Sequence, residues 1–457
     1  MPDLALCVKN YTFAYENSGK NILRNINLKV KIGECCCIIG STGSGKTTLL
    51  LAIAGLIHRG KSSGSIITPQ IKINNKNFQK HQTGHRIGIV LQNPETQLLT
   101  QTVGEEIAFG LENLCVAPEK MTEKILQALH AVGLNKPLNC PVNHLSMGQK
   151  YRLIVAAQLV MGSRLLLLDE PCGQLDEDGI KSLEQIISTL KQRGISFLIC
   201  EHNAEKLKKV IGHVFLINKK NQLIETNFEQ TASYTTCPKI SYPDKNQEII
   251  IQCNNLSIEL EHGKKILSDF NLNIKKGEIL SIYGANGTGK TSLLRSLCGF
   301  IKPVSGSIAV FGKTPSPKSL RGKIGILFQN PQKQLFETSV FNELAFIVRR
   351  LKIHEDIHSR IFTILKEFNL TEFCDHPTFK LSFGQKHLVA VACIIVSRPE
   401  IILLDDPFAG IDSDMAESII KVLIDLNKSY DSTIIWTSHD IGNYGYFANK
   451  TLFLETF

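Results

Sequence analysis

Two stretches of this 457-residue chain have a form that wraps an anion. Residues 40–47 read GSTGSGKT and residues 284–291 read GANGTGKT; each follows an apolar run and matches G-x-x-x-x-G-K-[ST]. Glycines let the backbone curl so that its N–H groups and a helix N-terminus face phosphate oxygens. The lysine, Lys46 or Lys290, then reaches the outer phosphates, and the hydroxyl of Thr47 or Thr291 can bind Mg2+. A second pair of stretches ends in carboxylates: LLLLDE at 165–170 and IILLDD at 401–406. Apolar runs of this kind suit buried parallel strands. A carboxylate at such a strand end, Asp169 or Asp405, can help hold Mg2+ directly or through water. One glycine-loop match is a rare chance event at ordinary glycine content and two in matching contexts are far rarer, so nucleotide binding is expected of both.

These residues belong to a repeat that fills the chain. IGIVLQNPETQLLTQTV at 87–103 returns as IGILFQNPQKQLFETSV at 324–340, and LSMGQK at 145–150 returns as LSFGQK at 381–386. Ser146 lies 24 positions before Glu170 and Ser382 lies 24 before Asp406, while Gln92 and Gln329 precede those serines by 54 and 53. Two homologous domains in tandem follow, at 1–228 and 248–457, joined by a Thr-, Ser- and Pro-containing linker at 229–247. In each, strands alternate with helices, which argues for an α/β core with a mainly parallel sheet. Apolar spacing at Ile125, Leu129 and Val132, and again at Ile361, Leu365 and Phe368, predicts a helix in the middle of each copy.

Composition excludes several classes. The thirteen cysteines include no C-x-x-C pair, so zinc-ribbon, iron–sulfur and thioredoxin sites lack their spacing. Neighbours on a strand point to opposite faces, so Cys35, Cys36 and Cys37 cannot converge on one ion and read as a buried strand. Residues 1–13 carry polar breaks at Asp3, Lys9 and Asn10, and no run of about 18 apolar residues occurs, so a cytoplasmic chain is expected. A formal charge of +9 spread over this length is a weak signal for a polyanionic partner.

With phosphate loop, glutamine, L-S-x-G-Q, apolar-Asp-Glu and a later histidine in this order, the sequence resembles the nucleotide-binding domains of ABC ATPases, twice and over nearly its whole length. The resemblance implies an α/β fold of tandem P-loop ABC ATPase domains, each with a mainly parallel-sheet core, a small antiparallel β part and a helical subdomain. It implies ATP and Mg2+ as the bound species. Gln92 and Gln329 become Q-loop residues, Asp176 and Asp412 D-loop residues, and His202 and His439 switch histidines, 32 and 33 positions after Glu170 and Asp406.

In that family the domains pair head to tail, so each ATP meets the phosphate loop of one copy and the L-S-x-G-Q segment of the other. The first phosphate loop would supply Gly40, Ser41, Gly43, Ser44, Gly45, Lys46, Thr47 and Thr48, completed by Ser382, Gly384 and Gln385. The second would supply Gly284, Ala285, Asn286, Gly287, Thr288, Gly289, Lys290, Thr291 and Ser292, completed by Ser146, Gly148 and Gln149. A hydroxyl and N–H groups at a helix start suit such an anion clamp. Thr47, Gln92 and Asp169, and likewise Thr291, Gln329 and Asp405, would surround Mg2+; Glu170, His202 and Gln92, or Asp406, His439 and Gln329, would act on the attacking water.

Four departures mark the pattern. The third signature position, usually Gly, is Met147 in one copy and Phe383 in the other. Tyr15 offers an aromatic to stack on adenine, whereas LSIEL at 256–260 offers none. Arg152 is matched by Leu388, and Asp406 stands where the first copy has Glu170. That shorter carboxylate predicts a second site that binds ATP and hydrolyses it slowly.

QNPETQL and QNPQKQL, followed by EEIAFGLENL and NELAFIVRRL, are similar to the Q-loop region of ATPases that energise energy-coupling-factor importers of vitamins and metal ions. That resemblance implies a peripheral location at the cytoplasmic face of the cell membrane. It also implies two integral-membrane partners, a transmembrane coupling protein and a substrate-capture protein, with no nucleic acid. The alternatives are a sugar-type ABC importer ATPase and a soluble tandem ABC ATPase acting on ribosomes or DNA. The short, weakly charged join without paired cysteines disfavours the second of these, and Glu170 argues against a clamp without turnover.

Overall fold

The computed structural model describes residues 3–16, 20–41, 43–57, 60–68, 71–74, 87–173, 175–228, 248–259, 265–353, 356–439 and 444–454. The expected linker at 229–247 lies outside them, as does Leu260. Contacts divide the chain into two compact units, residues 1–234 and 235–457.

The first unit runs β1 (Leu4–Ala14), β2 (Leu23–Lys31), β3 (Cys35–Ile39), α1 (Lys46–Ile53), β4 (Lys61–Thr68), β5 (Ile71–Asn74) and β6 (Ile87–Val90). It continues with α2 (Val103–Asn113), α3 (Pro118–Ala131), α4 (Met147–Val160), β7 (Leu165–Asp169), α5 (Glu177–Gln192), β8 (Ser196–Glu201), β9 (His213–Ile217) and β10 (Leu223–Thr226). Strands β2-β1-β4-β5 form an antiparallel sheet. A second sheet has the order β10-β9-β3-β8-β7-β6, parallel throughout except for the β10 edge.

The second unit repeats this with β11 (Ile249–Glu259), β12 (Lys265–Lys275), β13 (Ile279–Tyr283), α6 (Lys290–Leu297), β14 (Ser305–Val310) and β15 (Ile324–Leu327). Then come α7 (Val340–Arg350), α8 (Ile357–Glu367), α9 (Phe383–Ile395), β16 (Ile401–Asp405), α10 (Ser413–Tyr430), β17 (Thr433–Ser438) and β18 (Lys450–Phe453). Its antiparallel sheet is β12-β11-β14 and its parallel sheet β15-β16-β17-β13-β18.

The central parallel strands β3, β7 and β8, and β13, β16 and β17, are five or six residues long and buried on both faces, which is why their sequences are mostly apolar runs rather than alternations. The cysteine run shows the consequence. Cys35 and Cys37 join the core shared with α2, α3, α4 and α5, while Cys36 faces the core shared with α1 and the antiparallel sheet. Burial pushes the Cys35 thiol up to about 12. Among the described cysteines Cys115, just past α2, is exposed. The helices predicted mid-copy are α3 and α8; Ile125 and Leu129, and Ile361 and Leu365, point inward, with Val132 and Phe368 buried one residue past each helix.

No described helix is long and apolar enough to cross a membrane, and no cluster of His, Cys, Asp or Glu among the described residues could hold a metal by itself.

Candidate active site

Parallel order does the positioning. The carboxyl ends of adjacent strands β3, β8, β7 and β6 deliver in turn the loop at 40–45, His202, Asp169 with Glu170, and Gln92. In the second unit β13, β17, β16 and β15 deliver the loop at 284–289, His439, Asp405 with Asp406, and Gln329. Ligands of open α/β sheets bind at this edge.

Each glycine loop runs straight into a helix. Gly45 and Gly289 cap α1 and α6 at φ +99° and +96°, the left-handed region. A Cβ at Gly45 would stand 3.0–3.1 Å from Ile22 and Leu23, and one at Gly289 would stand 2.3 Å from Ile266. Lys46 Nζ donates to Gly40 O (2.6 Å) and Ser41 O (3.3 Å), and Lys290 Nζ to Gly284 O (2.6 Å) and Ala285 O (2.8 Å). Both lysines are buried, so their ammonium groups are folded into the loop rather than out to solvent.

Thr47 Oγ1 donates to Asp169 Oδ2 at 2.7 Å, and Thr291 Oγ1 to Asp405 Oδ2 at 2.7 Å. Burial, then the charge of Glu170, raises the Asp169 carboxyl to about 7; burial raises Asp405 as well. A cation between threonine and aspartate would remove that penalty. Ser44 Oγ and Asp169 Oδ1 are buried without a hydrogen-bond partner among the described residues, as expected of atoms that a phosphate and a metal complete. The residues present therefore fit ATP with Mg2+.

Past each strand the chain turns at a non-glycine residue with positive φ, Glu170 at +49° and Asp406 at +52°. Such a backbone costs on the order of 1–3 kcal/mol, and its recurrence at the same place in both copies marks a functional turn. Glu170 is held from two sides: Gln92 Nε2 donates to Oε2 at 2.6 Å, and His202 Nε2 lies 2.9 Å from Oε1, at ion-pair distance though out of hydrogen-bond alignment. Lys46 Nζ stands 3.7 Å from Oε1. Asp406 meets its histidine through the other ring nitrogen, His439 Nδ1 at 2.7 Å, and no hydrogen bond among the described residues joins it to Gln329.

The signature segments form helix starts. Ser146 caps α4 and Ser382 caps α9 in reciprocal boxes: Gln149 N donates to Ser146 Oγ (3.3 Å) and Gln385 N to Ser382 Oγ (3.2 Å), while each serine N donates back to the glutamine Oε1. Both serines are exposed, with Met147 and Phe383 half-buried beside them. Asp176 and Asp412 cap α5 and α10. Tyr15 is partly exposed, its hydroxyl 3.3 Å from Thr48 Oγ1 and its ring edge-on to Phe13.

Sequence reasoning missed several residues. Gln97 accepts from Leu91 N (2.7 Å) and donates to Ile89 O (3.1 Å); Gln334 does the same with Phe328 N (2.9 Å) and Ile326 O (3.0 Å). Glu106 accepts from the N–H groups of Leu99 and Thr100, and Glu343 from those of Phe336 and Glu337. The signal was available, since both glutamines and both glutamates recur at equal spacing. Thr437 is another: it donates to Asp405 Oδ1 (2.9 Å) and accepts from Asp406 N (3.0 Å), where the first unit has Cys200.

A glycine loop at a helix start, aimed with a strand-end carboxylate pair and a histidine, defines a phosphate-loop nucleotide hydrolase site, and it is present twice. A profile of the ABC transporter family matches residues 23–173 and 267–409. The chain is 32% identical over 490 residues to an ABC transporter ATP-binding protein of Clostridium perfringens, covering 95% of this chain and 86% of that one. It is equally 32% identical over 492 residues to one of Photobacterium profundum, covering 94% and 86%. Among solved structures, that of ribosome-bound archaeal Pelota and ABCE1 is similar over 95% of this chain and 74% of that one, with a TM-score of 0.67 and 19% identity, a likeness of fold. The chain belongs to the ABC transporter ATPase family and is an ATPase with two fused ATP-binding regions.

Proposed function

We propose that this ATPase, seated peripherally at the cytoplasmic face of the cell membrane, energises an importer of the energy-coupling-factor type that takes up a vitamin or a metal ion. One observation supports the reading most. Beyond each Q-loop glutamine, at equivalent positions, two large apolar side chains face solvent: Leu99 and Phe109 in the first unit, Phe336 and Phe346 in the second. Leu99 and Phe336 are 69% and 65% exposed on loops that Glu106 and Glu343 hold rigid. An ordered backbone presenting an unpaid apolar surface suits a partner's helix. In a chain whose described helices cannot cross a membrane, that partner would be an integral-membrane coupling protein, itself joined to a substrate-capture protein.

Thr47 with Asp169, and Thr291 with Asp405, would hold Mg2+, near Gln92 and Gln329. Mg2+ when bound offsets charge on the transferring phosphoryl group. Glu170 accepts the proton of the attacking water, with Gln92 and His202 fixing its carboxylate. By family resemblance ATP draws the halves head to tail, so that the exposed Ser382 with Gly384 and Gln385 completes the first site, and Ser146 with Gly148 and Gln149 the second. Asp406 is one methylene shorter than Glu170, and misplacement of about 1 Å costs on the order of 10²-fold in rate. The second site would therefore hold ATP and turn it over slowly.

The test is purification of the tagged chain from its own membranes in mild detergent, followed by identification of what travels with it. Integral-membrane proteins in fixed proportion support the reading; ribosomes or nucleic acid alone would remove it.

A further inference from the structure

Glu201 is a buried carboxylate that the site described above leaves unused. It ends β8, one position before His202, and is only 4% exposed. Strand alternation from Ile199 turns it toward the core shared with α2, α3, α4 and α5. There Cys172 N donates to Oε1 at 2.7 Å, and His202 N donates to Oε2 at 3.3 Å. Each oxygen therefore takes one backbone N–H, the first from the loop behind Glu170 and the second from the histidine itself. Burial pushes the carboxyl up, and the Cys172 N–H pulls it back.

The turn that carries Glu170 has two further ties, both from backbone to backbone. Glu170 N donates to Cys200 O at 2.8 Å, and Gly173 N closes on Glu170 O at 3.2 Å. The second unit holds its turn differently. Ser438 stands in place of Glu201 and Phe408 in place of Cys172, and Phe408 packs on Trp436 and Tyr444 with ring centroids 5.3 and 4.4 Å apart. Apolar contact thus suffices for the fold, whereas taking a carboxylate out of water costs several kcal/mol before any hydrogen bond forms. What the carboxylate adds is a stiff fork with two acceptors at fixed separation. It ties the strand end bearing His202 to the turn bearing Glu170, whose side chains meet at 2.9 Å.

We infer that Glu201 is a positioning residue for ATP hydrolysis in the first unit, fixing Glu170 and His202 relative to each other through the N–H groups of Cys172 and His202. It acts on the reacting atoms only through these two residues. The inference rests on Glu170 accepting the proton of the attacking water, as proposed above, and is independent of the importer reading.

Glu201→Gln tests it in the full chain, because the isosteric amide must turn its NH2 toward one of the two N–H donors. Turnover, kcat, should fall about tenfold or more while KM for ATP stays within about twofold, since the glycine loop is untouched. Glu201→Ser, with the side chain that the second unit carries, removes the fork together with the buried charge and should give the same split. In a Glu170→Gln background neither change should cost anything further in single turnover, because the brace acts through Glu170. In the unmodified chain, labelled with isotopic cysteine, the Cys172 amide should exchange with solvent at least about tenfold more slowly than that of exposed Cys115. Unchanged kcat in both variants overturns the inference, as does ATP affinity lost in step with turnover, a full extra loss in the double variant, or fast exchange at Cys172. If Glu170→Gln itself hydrolyses ATP normally, the role of Glu170 falls and takes this inference with it. If Glu170→Gln is slow and the Glu201 variants are not, only this inference falls.

Discussion

Glu170 and Asp406 occupy the same left-handed turn at the end of the same strand, yet their surroundings differ in kind. Glu170 is met by a glutamine amide on one oxygen and a histidine on the other. Asp406 is met by His439, through the opposite ring nitrogen and without Gln329, while its own N–H is tied to Thr437 on the neighbouring strand. One methylene thus changes which partners a carboxylate can reach, and the threonine has filled polar contacts that the first unit leaves open, notably Asp169 Oδ1. The first site is left incomplete in the way a reacting site needs to be. The second is more fully satisfied by its own protein.

The sharpest way to break this contrast is to remove each charge in turn. Glu170→Gln should lower steady-state ATP hydrolysis by on the order of 10²-fold or more, about 2.7 kcal/mol on the barrier, whereas Asp406→Asn should remove little, provided ATP still occupies the second site. Equal losses in a phosphate-release assay would mean that the short carboxylate works as well as the long one.

Comparable in size is a pH effect confined to the second unit. His387, on α9 where the first unit has Tyr151, is buried with neither ring nitrogen in a hydrogen bond among the described residues. Burial pushes its imidazole down to about 4 from 6.5, against a small pull from Pro407 and Asp406. The unfolded chain takes up a proton below pH 6.5 and the folded one does not until about 4, so this residue's contribution to stability is lost as pH falls through that window, by up to about 3 kcal/mol. Asp169 and Asp405, both raised, add the opposite trend to both units alike. Denaturant unfolding at several pH values should show His387→Phe removing the acid loss; an unchanged pH profile would show that the histidine is not held neutral.

Smaller still, Thr437→Val strands Asp405 Oδ1 and the Asp406 N–H, and should destabilise the second unit by about 2 kcal/mol. Cys200→Val at the equivalent place exchanges one small apolar group for another and should cost under about 1.5 kcal/mol. Similar unfolding midpoints for the two variants would show that Thr437 braces nothing.

Much of this was legible beforehand because the informative residues are tied to backbone geometry. A glycine loop, an apolar run ending in Asp and a serine at a helix start each dictate a local shape, and a repeat doubles every such signal. The parallel order then brought distant residues together, as when Thr47 meets Asp169. Thr437, His387 and Glu201 were not legible, because their roles depend on which group faces them across a strand or from another segment. No spacing in the sequence states that Glu201 meets the Cys172 N–H.

Cys115 offers an experimental consequence of a different sort. Eleven other described cysteines are buried or half-buried, and this one stands exposed just past α2, at the position Lys352 holds in the second unit. A maleimide dye added under gentle conditions should mark it first among the described cysteines, placing a fluorophore beside the first-unit apolar patch. Its emission would then report when a partner covers that surface.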